Sequence, residues 1–97
     1  MATQTLLSAV TSDGAGSGVS HTGACTVILH GDSVMDGCSV GIEIADSDTA
    51  ADYATVGPQG VFRQPGSVLV NGQGTYYLRA VVANSGTNTS VTCKTVQ

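Results

Sequence analysis

Several clusters in this sequence hold residue types that do chemistry, and each one sets a condition on what surrounds it. Gly31-Asp32-Ser33 follows His30. A serine beside an imidazole is the beginning of nucleophile-and-base catalysis, provided the ring lies within hydrogen-bond reach of the hydroxyl. Asp46, Asp48 and Asp52 share one stretch of small residues, and a hard cation such as Ca²⁺ takes about six to eight oxygens of that kind. Gly14 to Gly18 reads G-A-G-S-G, a tract able to cradle phosphate when a helix N-terminus follows. Cys25, Cys38 and Cys93 would be metal ligands or redox groups if paired.

Each cluster has a plainer structural reading, and the plainer reading is the expectation. Gly31-Asp32-Ser33 fits a turn whose polar side chain caps its own backbone, with His30 pointing outward from a strand end. The spacing D-x-D-x-x-x-D lacks the glycine and the distal glutamate of an EF-hand, so Asp46 to Asp52 is expected to be a solvated loop, or at most one helical turn capped by Asp46 or Ser47. The glycine tract precedes no helix and has no lysine after it. The cysteines are odd in number, with neither CxxC spacing nor histidines at zinc-finger distances, and are expected to be reduced, buried fillers. Asn88-Thr89-Ser90 matches a glycosylation pattern that is idle without a secretory signal. The chain is therefore expected to have no catalytic residues, no metal and no cofactor, and not to be an enzyme.

The elements that position these residues follow from composition. With 97 residues, 41% of them apolar and only 10% charged, the chain matches one folded domain, residues 1–97, and not a disordered segment. Thirteen glycines among many Val and Thr favour short strands joined by frequent turns. Seven acidic residues against Arg63, Arg79 and Lys94 leave no basic stripe, so a nucleic-acid partner is not expected. No run approaches the ~18 apolar residues of a membrane span, so no membrane partner is expected either. The N-terminus has no basic segment ahead of its apolar residues, which predicts a chain made in the cytoplasm.

Alternation predicts strands at Thr3 to Val10, Ala24 to His30, Cys38 to Ala45 and Thr75 to Ala83, with shorter ones at Tyr53 to Val56, Val61 to Arg63 and Ser67 to Val70. Residues 11–20 are expected to be a Gly/Ser-rich loop or edge segment. Asn71-Gly72 has the chemistry of a tight hairpin turn, and Asn84 to Asn88 that of a second hairpin loop, from which Thr89 to Val96 returns against Thr75 to Ala83. The predicted fold is all-β: a compact antiparallel β-sandwich, or a jelly-roll-like barrel, of six to eight short strands.

Within Thr75 to Ala83, Tyr76, Leu78, Ala80 and Val82 share one face, while Tyr77, Arg79, Val81 and Ala83 share the other. Both faces are partly apolar, so one is expected to cover the core and the other a neighbour. Tyr77, Arg79 and Val81 are the expected interface residues, because tyrosine and arginine are favoured interface anchors.

Two segments carry a family resemblance. Thr5-Leu6-Leu7-Ser8-Ala9-Val10-Thr11 with Gly14-Ala15-Gly16-Ser17-Gly18, and Gly74-Thr75-Tyr76-Tyr77-Leu78-Arg79-Ala80-Val81-Val82 with Thr89-Ser90-Val91-Thr92, resemble small tailed-bacteriophage virion proteins. The middle of the chain departs from that pattern: Ala45-Asp46-Ser47-Asp48-Thr49 stands where such proteins carry a Ser-x-Asp-Gly-like turn, and there is no tryptophan. The resemblance implies a capsid decoration or cement protein of the virion, a homo-oligomer made in the host cytoplasm, whose partners are the major capsid protein and copies of itself. It equally admits a fibre or tail module that binds a receptor or glycan through Ser12 to Ser20, Asp46 to Asp52 and Asn84 to Asn88.

Overall fold

Alternating apolar residues build the strands, and a computed structural model of the protein, describing residues 2–97, arranges them in two antiparallel sheets. Met1, the first residue of the expected domain, lies outside the described residues. The strands are β1 (Thr3–Val10), β2 (Gly14–Ala15), β3 (Val19–Thr22), β4 (Cys25–Leu29), β5 (Ser39–Ala45), β6 (Ala54–Thr55), β7 (Val61–Phe62), β8 (Gly66–Val70), β9 (Thr75–Ala83) and β10 (Val91–Val96). Single 3-10 turns occupy Ala50–Asp52 and Pro58–Gly60.

One sheet runs β1-β10-β4-β8. The other is centred on β9 and β5, with β2 and β3 paired to β9, and β6 and β7 paired to β5. This is the expected all-β sandwich. Its strand count exceeds six to eight because β2, β6 and β7 are two-residue pieces, formed where turn-rich segments touch a longer strand. Within residues 11–20, Gly14-Ala15 and Val19-Ser20 lie along the edge of β9.

The connectivity corrects two expectations. Thr75 to Ala83 and Thr89 to Val96 are not a hairpin: β9 belongs to one sheet and β10 to the other, and Asn84 to Ser90 carries the chain between them. Asn84 adopts φ 59 at the start of this crossing, a left-handed conformation that asparagine tolerates better than most residues. Asn71-Gly72 is not a hairpin turn either, since β8 pairs with β4 and β9 with β5. Gly72 answers a different need there, because a Cβ at this position would fall 2.3 Å from the Tyr76 ring.

The core lies between the sheets. Val27, Leu29, Val91 and Cys93 face Val40, Ile42, Leu78, Ala80 and Val82, all essentially without exposure. Burying each large aliphatic side chain contributes about 1.5–3 kcal/mol. β1 adds Leu6 and Leu7 together, although neighbours on a regular strand point to opposite faces. A register shift between Thr5↔Lys94 and Leu7↔Cys93 inserts the extra residue that lets both turn inward.

Three polar residues are buried, His21, Thr89 and Thr95, and two of them meet in this core. His21 on β3 is 2% exposed and stacks on Tyr76 with ring centroids 5.9 Å apart. Its Nδ1 is 3.0 Å from the Val19 carbonyl oxygen and its Nε2 2.6 Å from Thr95 Oγ1 on β10. The carbonyl can only accept, so Nδ1 carries the proton, and in the neutral ring Nε2 accepts from the threonine hydroxyl. The imidazole thus ties one sheet to the other through a satisfied buried hydrogen bond.

Candidate functional site

The residues singled out for catalysis serve the backbone. Ser33 N–H donates to the His30 carbonyl at 3.0 Å, and Ser33 Oγ accepts from Thr92 N–H at 3.1 Å. Gly31-Asp32-Ser33 is therefore a turn pinned to the start of β10. Cys25, Cys38 and Cys93 are buried free thiols. Burial pushes the Cys93 thiol up to about 12 and raises Cys25 and Cys38 as well, which keeps them in the unreactive thiol form.

The acidic loop also spends its side chains locally. Asp52 Oδ2 accepts from Ser47 Oγ at 2.6 Å, and Asp48 Oδ1 accepts from the Tyr53 hydroxyl at 2.8 Å. The two carboxylates serve different hydroxyls, and among the described residues no three of His, Cys, Asp and Glu gather as a metal site. The single turn at Ala50–Asp52 starts after Thr49, without a side-chain cap, and not from Asp46 or Ser47. Beside it an open groove of about 620 Å³ is lined by Ile44, Asp46, Asp52, Gln73 and Thr75 among others.

Tyr77, Arg79 and Val81 share the outer face of the β9 sheet, as alternation predicts, each half-buried. Arg79 lies opposite Glu43 on β5, and its Nε donates to Glu43 Oε1 at 2.7 Å. The Tyr53 ring stacks on the guanidinium, 4.1 Å from centroid to Cζ. Burial first, and then the bond to Asp48, pushes the Tyr53 hydroxyl up to about 12. Gly18 permits this closure, since a Cβ there would lie 2.1 Å from the Tyr53 hydroxyl oxygen and 2.3 Å from Asp48 Oδ1. Glu43, Arg79, Tyr53 and Asp48 thus form a continuous chain of contacts that lays the 46–53 segment over this face.

The outer face of the β10 sheet is built differently. Cys25, Val27 and Leu29 of β4 and Val91, Cys93 and Thr95 of β10 point inward, so Thr26, Ile28, Thr92, Lys94 and Val96 point outward. Pairing registers set two rows across it: Thr3, Val96, Thr26, Leu69 and, one step along, Thr5, Lys94, Ile28, Ser67. The rows hold one charge, Lys94, and no acid. Leu69 is 64% exposed, the most exposed of the large apolar residues. A shallow depression of about 430 Å³ beside Ile28 is closed by Pro65, Gly66 and Ser67.

Sequence reasoning did not single out this face or His21. The signal for Leu69 lay in Val68-Leu69-Val70: two valines turned inward on a strand force the leucine between them outward. Ser12 to Ser20 touches both other loops considered for recognition, at Gly18 and at Asp13, but those two lie apart. Asp46 to Asp52 follows the end of β5 that faces the start of β9, whereas Asn84 to Asn88 follows the end of β9, where Asp13 Oδ1 accepts from Ser85 N–H.

These features define an antiparallel β-sandwich in which Tyr53 covers Arg79 on one outer face, where Val61 stays exposed, while on the other outer face Leu69 stays uncovered. Compared with known proteins, the chain matches no family model, no curated protein and no solved structure.

Proposed function

We propose that this protein is a structural surface module that binds through the open outer face of the β10 sheet and not by catalysis, and that it serves as a decoration or cement protein of a tailed-bacteriophage capsid. The observation that carries the reading is the threonine- and apolar-lined face around Ile28, Val96 and the exposed Leu69, on which Lys94 is the one charge. Covering the apolar part of such a face removes it from water and contributes about 25 cal/mol per Å², while Lys94 and the threonine hydroxyls need polar partners across the contact. Repeated over symmetry-related copies, a small contact of this kind adds up across the seams of a shell. The phage partner rests on the resemblance of Thr5 to Thr11 with Gly14 to Gly18, and of Gly74 to Val82 with Thr89 to Thr92; the exposed Leu69 supports the choice of contact face.

In this orientation the acidic side, with Glu43, Asp46, Asp48 and Asp52, is turned toward solvent. Densitometry of purified particles against the major capsid protein tests the reading: a decoration protein is present in high, near-stoichiometric copy. A few tens of copies or fewer would favour a fibre or tail component instead, and a chain missing from particles would sink the virion reading.

A further inference from the structure

We propose that β8 pairs antiparallel with β8 of a second copy, joining the two four-stranded β10 sheets into one continuous sheet across a two-fold axis. This deepens the surface-module reading by making one partner another copy of the chain. It is tested on the purified chain alone, so its failure leaves the capsid reading standing, and the reverse also holds.

β8 is bonded to β4 on one side only. Every second residue of an antiparallel edge strand directs its N–H and C=O away from its neighbour, a template for another strand. The template here is regular: all five residues from Gly66 to Val70 keep unbroken register with β4. The opposite edge, β1, is spoiled for pairing by two register shifts and by Ala9 at φ 47, whose N–H is already given to Thr92 Oγ1. In the β9 sheet, β2, β6 and β7 are two residues long, and β3 is short and abuts β1.

Charge and shape agree with self-pairing. Gly66-Ser67-Val68-Leu69-Val70 contains no charge and no proline, so it lacks the usual devices that blunt an edge. An antiparallel partner sets Arg63 of one copy beyond Val70 of the other, where Asn71-Gly72-Gln73 is uncharged, so no like charges oppose. In a register centred on Val68, Ser67 of each copy stands opposite Leu69 of the other on the outer face. The two exposed leucines then flank the axis and cover one another. A five-residue edge spans only ~17 Å and buries less than the about 1,200–2,000 Å² of stable complexes. The dimer is accordingly weak and concentration-dependent.

Sedimentation velocity across concentrations up to about 1 mM reads it. The weight-average mass should climb from the chain mass of 9.7 kDa toward twice that value. L69K, at an exposed position, should keep the native circular dichroism spectrum and weaken the dimer at least about tenfold. Mild oxidation should cross-link S67C/L69C into a covalent dimer and leave the β1 control T3C/T5C monomeric. A chain that stays monomeric throughout, a dimer indifferent to L69K, or cross-linking equal in both double variants would each overturn the proposal.

Discussion

The two outer faces of this sandwich are made from the same strand logic and end in opposite states. On the β9 sheet, alternation places Tyr77, Arg79 and Val81 outward, and the chain then closes over its own arginine: Glu43 takes the guanidinium Nε, Tyr53 stacks on it, and Asp48 holds Tyr53. On the β10 sheet, alternation places Thr26, Ile28, Val96 and Leu69 outward, and no segment folds back over Leu69, which stays 64% exposed. A residue type favoured at interfaces is thus engaged within the chain, while the face with less distinctive chemistry carries the exposed Leu69. Outward direction and availability are separate properties, and only the second makes an interface.

The largest effect expected separates the core and the closed face from the open one by pH. Burial raises the Cys93 thiol and the Tyr53 hydroxyl, each to about 12, from ordinary values of 9.0 and 10.0. Both are acids whose folded values exceed their unfolded ones. The unfolded chain therefore releases these protons first, and stability falls as pH rises from about 9 to about 12, by up to about 1.4 kcal/mol per pH unit for the core thiol. Denaturant melts between pH 8 and 11 measure the slope. C93A should flatten part of it and Y53F a smaller part, with Cys25, Cys38 and Tyr76, which burial also raises, carrying the rest, whereas L69S should leave it unchanged.

Gly18→Val comes next, driving a side chain into Tyr53 and Asp48 at a cost of about 1–3 kcal/mol. On a chain of this size that lowers Tm by about 4–8 °C per kcal/mol. Removing the arginine itself with R79A should cost about 1–2 kcal/mol, from a partly buried ion pair and one cation–π contact. The E43Q/R79A pair should lose less than the sum of the two single changes, as a double-mutant cycle by denaturation reads directly. The smallest change in stability belongs to the open face: L69E should stay within about 0.5 kcal/mol of the parent and yet weaken association.

Much of the fold was legible. The inward sets Val40, Ile42 and Leu78, Ala80, Val82 follow from period-two alternation, as does the opposition of Tyr76 and Tyr77. Alternation gives the face of a strand and not its partner. The chain from Thr75 to Val96 therefore read as a hairpin when it is a crossing between sheets, since either arrangement buries one face of each strand. Asn71-Gly72 carries turn chemistry, but Gly72 is set by the Tyr76 ring beside it. Leu6-Leu7 breaks the period because a bulge absorbs one residue. His21 gave no signal beyond its place in a short strand, because what satisfies it, Thr95, is 74 residues away. Alternation also sets Arg79 outward; its closure by Tyr53 depends on a loop whose path sequence spacing does not specify.

On the proposed reading the outer face of the β10 sheet, and not that of the β9 sheet, makes the contact. The most direct test is the copy number of the chain in purified particles, by densitometry against the major capsid protein, for the parent, L69E and R79A. The expected result is high copy for the parent, loss of most copies with L69E, and near-parental copy with R79A. Loss with R79A while L69E is retained would contradict it.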